Sequence, residues 1–539
     1  MSQEKSQGQE AYCWRDVLAL SFLSALLLAA YHPVGEAFFM ADDPYLLQAA
    51  IEHGPWRHFF DPSLHLPETP LVLMPWLYTS FYVDYRLFGL EPMGFYVHQL
   101  LALWLVIVLL YVALQGCSRL ARTVALGWLL LAAPAAQAAQ FLMTRHYLEG
   151  ICFAALAYLC QRKAQQKVSL TWALLAACCY GAAMTAKEIF VPLPVLFLFM
   201  GPLHVLVPHA VLALGYCCWR AAMLGPAHLF TGYGDTEPLS MGHVLALPHR
   251  IAMLMGWQEG WVVVLELVLA TGALVALVSL HRPAVVALIA AGTVLPIVPV
   301  LPILQPRFLL VPAIWMALGI ALLVDRLEQR YRRGWILLGS GMMLSGQAVA
   351  MYASPAWGHR DYIAQYRLEG RYVLHHPVAG QTALLAPIGH AYYYAGLLWM
   401  RQTLLHRRDA PLLCKEPCLC AALPRRQAVR YQDGALQAVS WPRACSKPSH
   451  ELEIQMAYHD HQLFWRFGPY RSGRYLVLLN HPDQGLYGFP HWLPPQGRYV
   501  FAMHKPLSLV VRYPLPDGQQ AATPLLTWTP ATQPALRYP

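Results

Sequence analysis

The chain has 539 residues, of which 57% are hydrophobic and only 12% are charged, and its formal net charge is +9. Soluble domains carry about a quarter of their residues as charged side chains, so this composition excludes a soluble fold. It also argues against nucleic-acid binding, because the basic residues lie in short clusters between apolar segments, where the positive-inside rule places them.

Apolar segments of the length that a bilayer requires, about 20 residues, recur along the chain. They begin near residues 17, 95, 123, 147, 169, 189, 205, 259, 283, 308 and 334. Basic clusters follow every second segment, namely Arg119/Arg122, Arg162/Lys163/Lys167, His281/Arg282 and Arg326/Arg330/Arg332/Arg333. These loops are therefore predicted to be cytoplasmic. Eleven spans then place the N-terminus inside and the C-terminal region outside.

The first apolar segment, about Val17 to Ala30, also resembles a signal peptide, because Arg15 precedes it and small residues close it. We interpret it as an uncleaved first span; cleavage would leave the sidedness of the rest unchanged. The following loop, 31–94, is rich in Trp, Tyr, Pro and His. Within it, the pattern of 70–88 predicts amphipathic helices at the membrane surface. Their interfacial anchors would be Trp76, Tyr78, Tyr82 and Tyr85.

A fall in hydropathy after about residue 354 predicts two domains. Residues 1–355 would form an all-α polytopic membrane domain that includes the loop 31–94, and residues 356–539 an α/β or β-rich extracytoplasmic domain. Mixed patterning at 361–408 predicts helices with one or two strands. Alternating stretches separated by Gly, Pro and Asn predict strands at 451–458, 462–467, 474–479, 498–504 and 508–513.

Four cysteines, Cys414, Cys418, Cys420 and Cys445, lie together in this polar region. If it faces an oxidising compartment, at least one disulfide is expected. A zinc site is the alternative, although the spacing lacks the paired form typical of zinc ribbons and fingers. The other eight cysteines lie in or beside apolar segments and form no motif.

Two adjacent carboxylates, Asp42 and Asp43, stand just beyond the first apolar segment. Charge at that depth is costly unless it is solvated or used. One of the two could take the proton from an acceptor hydroxyl as a general base. Equally, the pair could cap the helix that follows, since Asp is favoured at helix N-termini.

Three cations are predicted at the same outer face. Lys187 and Glu188 lie between two apolar runs, either as a simple turn or as a site for an anionic headgroup. Arg307 begins a span and could bind phosphate with its planar fork or extend to the interface. Arg145, followed by His146, has the same two interpretations. Acids and cations from separate stretches on one face suit a reaction that transfers a group from a phosphate carrier to a hydroxyl.

These motifs, taken in order, resemble the polytopic GT-C class of glycosyltransferases. The resemblance is to the branch with protein O-mannosyltransferases, aminoarabinose transferases and tetratricopeptide-containing mannosyltransferases, and it covers about residues 15–375. The segments that carry it are Asp42-Asp43, Asp84 to Pro92, Arg145, Ala186-Lys187-Glu188 and Arg307 to Pro312. Two positions depart from that branch: residues 96–99 read Tyr-Val-His-Gln where relatives often carry His and Asn, and 68–71 lack an Arg-Pro-Leu pattern.

The resemblance implies transfer of a sugar from a polyprenyl-phosphate donor to an acceptor hydroxyl, with inversion, on the periplasmic or extracellular face of the plasma (inner) membrane. It assigns Asp42 as the base and Asp43 to orienting the acceptor or a metal. Lys187, Arg307 and Arg145 would bind the donor phosphate, with Glu188 and His146 in support. A divalent metal is optional, because fixed cations can stabilise a single phosphate.

The acceptor stays open between a protein, a glycolipid and a growing glycan, and membrane lipids are the other partners expected. A transporter or flippase of a lipid-linked glycan and a non-catalytic scaffold are the alternatives. A transporter predicts charged residues within spans and an internal repeat. The predicted spans are nearly free of charge, with Glu266 as the main exception, and no repeat is evident.

Overall fold

The computed structural model is divided into two compact units. The described residues are 2–65, 73–197, 206–226, 279, 283–297, 304–353, 360–376, 382–420, 427–440, 452–459, 462–481, 484–500, 507–515, 520–529 and 533–538. Unit 1 comprises Met1–Gly35, Leu73–Leu77 and Met93–Arg360. Unit 2 comprises Glu36–Val72, Tyr78–Pro92 and Asp361–Pro539. The first outer loop therefore contributes most of its residues to the same unit as the C-terminal region.

Unit 1 is helical. Its described helices are α1 (Ser2–Tyr31), α4 (Pro92–Ala113), α5 (Arg119–Leu131), α6 (Ala133–Gln140), α7 (Arg145–Lys167), α8 (Leu170–Ala186), α9 (Leu193–Phe197), α10 (Val207–Leu224), α11 (Pro283–Val294), α12 (Leu310–Arg330) and α13 (Arg333–Ala353). Unit 2 supplies α2 (Asp43–Phe60) and α3 (Pro75–Phe88, which begins in unit 1).

Five described helical segments are long and apolar enough to cross a membrane: Trp14–Glu36, Pro92–Ala113, Val207–Leu224, Pro306–Arg330 and Arg333–Tyr352. A sixth results if α5 and α6, which meet at 59°, form one broken span. Pro134 in the first turn of α6 fits this break, since proline is tolerated only at the start of a helix. The chain is thus a multi-pass membrane protein. The number eleven stays a prediction, and the span expected near residue 259 lies outside the described residues.

Small residues let the helices of unit 1 approach closely. Ala135, Ala136 and Ala139 of α6 are fully buried. A Cβ atom on Gly127 of α5 would lie 3.4 Å from the side chain of Leu344 in α13. Because lipid tails are as apolar as leucine, such close packing is a main source of helix association in membranes.

The C-terminal part of unit 2 begins with an α/β segment. Here α14 (Arg360–His375) precedes β1 (Thr382–Leu385), and α15 (Ala391–Thr403) connects β1 to the parallel strand β2 (Leu412–Cys414). The helices and strand expected at 361–408 are therefore confirmed. A helical crossover is the usual connection between parallel strands.

The rest of unit 2 is rich in strands. These are β3 (Gln427–Gln432), β4 (Ala435–Val439), β5 (Glu453–His459), β6 (Gln462–Gly468), β7 (Tyr475–His481), β8 (Leu486–Leu493), β9 (Gln496–Val500), β10 (Leu507–Pro514), β11 (Gln520–Ala522), β12 (Leu526–Trp528) and β13 (Ala535–Tyr538). One sheet has the order β11-β10-β7-β8-β2-β1-β3-β4, with β12 also paired to β10. The other has the order β13-β5-β6-β9. Four of the five predicted strands are present, and the strand predicted at 498–504 is seen as β9 up to Val500, its remainder lying outside the described residues. A core that includes Ile454, Trp465, Val511 and Trp528 joins residues of both sheets.

Two details of the sequence prediction are now decided. Cys414 and Cys420 form a disulfide, which confirms the expectation of at least one bridge. Cys445 lies outside the described residues. Tyr78 is not an interfacial anchor: it is buried, and its ring stacks on His58 with centroids 3.7 Å apart. The exposed apolar side chains of α3 are instead Val83, Leu87 and Phe88.

Candidate active site

The two acids of the first loop have different surroundings in unit 2. Asp43 is fully buried, and its Oδ2 accepts a hydrogen bond of 2.8 Å from the backbone N–H of Met40. Asp42 is the N-cap of α2 by backbone geometry, but its side chain makes no capping bond. The Asp42 side chain is 43% exposed. A local backbone role therefore belongs to Asp43, whereas the Asp42 carboxylate remains accessible to a substrate.

The loop that presents Asp42 is held by helices from the C-terminal region. A Cβ atom on Gly396 of α15 would lie 2.5 Å from the backbone carbon of Pro44, so this helix contacts the start of α2 without an intervening side chain. Gly370 of α14 likewise packs closely, against the ring of Phe38.

Tyr366 of α14 hydrogen-bonds to the backbone of Ala41. Two helices of the C-terminal region thereby hold the acidic motif in place. Ala41, directly before the motif, has a φ of 48°, which is uncommon for residues other than glycine.

One side chain from the C-terminal region reaches Asp42 directly. His390 Nε2 lies 2.9 Å from Asp42 Oδ1. His390 is also the N-cap of α15, and its Nδ1 accepts from the backbone N–H of Tyr393 at 3.3 Å. Sequence reasoning missed this residue, because nothing in its neighbourhood distinguishes it from an ordinary helix cap.

The cations predicted at the outer face are found in unit 1. Lys187, in extended conformation directly after α8, is only 1% exposed. Its Nζ lies 3.4 Å from Glu188 Oε1 and 5.7 Å from the centre of the Tyr147 ring. The Lys187–Glu188 separation is long for a charge-assisted hydrogen bond, which is typically 2.7–2.9 Å. The Tyr147 ring is within the range of a cation–π contact.

Arg307 lies in a 3₁₀ turn, Pro306–Leu309, that leads into α12. Its backbone N–H donates to the side-chain oxygen of Gln137, which positions the turn against α6. Within the described residues, the hydrogen-bond acceptor of its guanidinium is the sulfur of Met143, at 3.8 Å. A thioether is a weak acceptor, so the arginine fork keeps donors for a stronger one.

Lys187 and Arg307 come from distant parts of the chain and lie beside neighbouring aromatic rings. Lys187 Nζ is 5.7 Å from the centre of the Tyr147 ring, and Arg307 Cζ is 5.2 Å from that of the Phe308 ring. His146 is buried at the start of α7, directly before Tyr147. The rings of His146 and Tyr147 are 4.5 Å apart, and that of Tyr147 is 6.4 Å from Phe308. Within unit 1 the structure thus groups four predicted site residues: Lys187, Glu188, Arg307 and His146.

Arg145, the third predicted cation, is fully buried and engaged within unit 1. Its Nε donates to Gln99 Oε1 at 3.0 Å, and one terminal nitrogen donates to the Phe95 carbonyl at 2.7 Å. The other terminal nitrogen lies 3.4 Å from His98 Nδ1. Arg145 therefore connects α7 to α4.

Asp42 and Asp43 belong to unit 2, whereas the three cations belong to unit 1. Among the described residues, no group of three or more His, Cys, Asp or Glu side chains is arranged to hold a metal ion.

Comparison with known proteins gives matches in structure alone. No family model matches the chain, and no curated protein matches it in sequence. Among solved structures, the chain is similar to ArnT from Cupriavidus metallidurans bound to undecaprenyl phosphate, with 13% identity and a TM-score of 0.44 over 77% of this chain and 93% of that one. For the apo state of the same protein, the identity is 13% and the TM-score 0.45, over 79% and 94%. At these values the likeness identifies neither the family nor the reaction of this chain.

Proposed function

We propose that the chain is a membrane glycosyltransferase that moves a sugar from a polyprenyl-phosphate donor to an acceptor hydroxyl, with inversion. The single observation that supports it best is that Lys187 and Arg307 lie in one neighbourhood of unit 1, beside the neighbouring rings of Tyr147 and Phe308. Among the described residues, the hydrogen-bond acceptor of the arginine fork there is a thioether. Lys187 is buried and Arg307 is half-buried, and Glu188 offsets one of these two positive charges. A phosphate anion would supply negative charge for the other.

The two cations suit complementary parts of a phosphate. Arg307 would donate two parallel hydrogen bonds to two phosphate oxygens, and Lys187 would place a compact charge on a third. Glu188 limits the positive charge and keeps Lys187 in place at 3.4 Å. As the bond between the anomeric carbon and the phosphate oxygen breaks, negative charge grows on that oxygen, and preorganised cations stabilise it.

Asp42 is the proposed base. The acceptor oxygen forms a bond to the anomeric carbon, its proton passes to Asp42, and polyprenyl phosphate leaves with the electrons of the broken bond. Attack opposite the leaving phosphate inverts the anomeric configuration. An accessible carboxylate without a capping role supports this assignment for Asp42, and the buried contact of Asp43 with Met40 supports a positioning role for Asp43.

The compartment and the acceptor belong to the same proposal. The basic loops predict that the cations and the acidic motif face the periplasm or cell exterior from the plasma (inner) membrane. The acceptor is a hydroxyl of a protein, a glycolipid or a growing glycan. Arg145 enters the proposal as a residue that orients α7, from which His146 and Tyr147 extend, rather than as a direct ligand of the phosphate.

Donor binding tests the phosphate site without knowledge of the sugar. Lys187→Met and Arg307→Met should each weaken binding of a synthetic short-chain prenyl phosphate about tenfold to a hundredfold, since a hydrogen bond to a charged group contributes about 1.5–3 kcal/mol. Arg330→Met is the matched control. It removes the same charge at the last residue of α12, where the side chain is exposed.

If both Met variants bind prenyl phosphate as tightly as the wild type does, Lys187 and Arg307 do not form a phosphate site. Turnover then separates enzyme from transporter. With a panel of prenyl-phosphate sugars in detergent, a glycosyltransferase releases prenyl phosphate and forms a product of inverted anomeric configuration, whereas a flippase leaves the glycosidic bond intact.

A further inference from the structure

We infer that His390, in the C-terminal region, is the positioning residue of Asp42: its Nε2–H holds the Asp42 carboxylate while its Nδ1 is anchored to the backbone of α15. This rests on the proposed role of Asp42 as the base. It also gives His390, which lies beyond the residues 15–375 that carry the family resemblance, a direct part in the site that Asp42 defines.

The hydrogen bonds of His390 assign its tautomer. A backbone N–H can only donate, so Nδ1 must accept from Tyr393 and carries no proton when the ring is neutral. The proton is then on Nε2, which donates to Asp42 Oδ1 at 2.9 Å. The ring is fixed at both ends, and its Nε2 contacts one defined oxygen of the Asp42 carboxylate, Oδ1.

The exposure of the pair indicates a role in geometry rather than in stability. The side chains of His390 and Asp42 are 41% and 43% exposed. Pairs that are so well solvated contribute little to folding. A carboxylate on a solvated loop can, however, adopt several rotamers, and a base needs one of them. The backbone contact between Gly396 and Pro44 keeps α15, and with it His390, at a fixed distance from the motif.

Two substitutions separate the two functions of the imidazole. In His390→Asn, the side-chain oxygen can replace Nδ1 as the cap of α15, because Asn is a preferred N-cap, but the chain is too short to reach Asp42. In His390→Gln, the amide nitrogen can replace Nε2 as the donor to Asp42, but Gln is not a preferred cap. A positioning role predicts that Asn lowers kcat at least tenfold with little change in KM, whereas Gln retains a third or more of it.

If His390 only caps α15, the order of the two variants is reversed. His390→Asn then has nearly the turnover of the wild type, whereas His390→Gln has a lower melting temperature. The second readout is coupling. In an Asp42→Asn background, His390→Asn should lower the residual turnover less than twofold, because the group on which His390 acts is already gone. An equal loss in both backgrounds, or the reversed order of the Asn and Gln variants, would overturn the inference.

Failure of the proposed function gives a different pattern. If wild-type protein transfers no sugar from any prenyl-phosphate donor, the enzyme assignment is wrong, and the pairing is decided by ¹⁵N NMR of histidine-labelled protein in detergent. The His390 signal, assigned by its loss in His390→Asn, should show a protonated Nε2 and an unprotonated Nδ1, and it should shift in Asp42→Asn. A neutral ring that carries its proton on Nδ1, or no response to Asp42→Asn, would refute the contact itself.

Discussion

Gly396 of α15 lies so close to Pro44 that a Cβ atom there would be 2.5 Å from the backbone carbon of Pro44 and 2.6 Å from the backbone nitrogen of Tyr45. No side-chain rotation can relieve this contact, because both atoms are backbone. The position therefore sets the distance between the acidic motif and the helix that His390 caps.

Gly396→Ala should consequently lower stability by about 1–3 kcal/mol through overpacking, even though alanine favours helix by up to about 1 kcal/mol over glycine. It should also reduce sugar transfer beyond the loss of folded protein, because Asp42 moves with α2. Gly339→Ala is the control, since a Cβ there meets nothing within 4 Å among the described residues. Thermal unfolding and turnover measure both effects. A Gly396→Ala variant as stable and active as Gly339→Ala would contradict the packing.

The buried imidazole of His58 predicts a pH dependence of unit 2. Burial, reinforced by the nearby charge of His65, lowers the pKa of His58 to about 3. In the unfolded chain the pKa returns to about 6.5. The unfolded state then binds a proton that the folded state does not, so stability is complete above about pH 6.5 and declines as the pH falls toward 3.

His58→Phe should remove this part of the decline, because phenylalanine keeps a ring against Tyr78 and takes up no proton. The melting temperature of the wild type should therefore fall more between pH 7 and pH 5 than that of the variant, measured in the same detergent. Parallel declines in the two proteins would show that His58 does not contribute.

Arg145 provides a test of structure against phosphate binding. Arg145→Lys keeps the charge but loses the planar fork that donates to Gln99 and to the Phe95 carbonyl. We expect a loss of stability of more than about 1.5 kcal/mol, since these are hydrogen bonds from a buried charged group. Arg307→Lys, the same substitution at the proposed phosphate site, should fold normally and lose donor affinity. If Arg145→Lys melts at the same temperature as the wild type but binds the donor weakly, Arg145 binds the donor phosphate directly.

Local pattern sufficed for the elements of this chain. Alternation identified five strands beyond residue 450, and runs of apolar residues identified α4, α12 and α13 as spans. The positions of acids and cations beside apolar segments also predicted candidate site residues. Four of these lie in one neighbourhood of unit 1: Lys187, Arg307, Glu188 and His146.

Long-range partners could not be predicted from one sequence. Tyr78 has the spacing of an interfacial anchor, yet it faces His58, because amphipathic periodicity does not distinguish a protein-facing aromatic from a lipid-facing one. The partnership of His390 with Asp42 depends on how α15 packs against α2, which no local pattern encodes. The burial of Asp43 and the exposure of Asp42 are likewise not encoded by their adjacent positions in the sequence.

The last prediction separates the two acids. Asp42→Asn should fold and insert normally, because the Asp42 side chain makes no capping bond, and should lose most sugar transfer, since a general base contributes typically 10²–10⁴-fold. Asp43→Asn keeps a carbonyl oxygen that can accept from Met40 N–H, so it should retain stability and much of its turnover. Asp43→Ala removes that acceptor and leaves a backbone donor without its partner, at a cost of about 1–3 kcal/mol.

We therefore expect Asp42→Asn to be stable and inactive. Asp43→Ala should be unstable, with activity in proportion to its folded fraction. Turnover with a synthetic prenyl-phosphate sugar, normalised to folded protein from unfolding curves, decides the matter. Near-wild-type transfer by Asp42→Asn would show that this carboxylate does not act as the base.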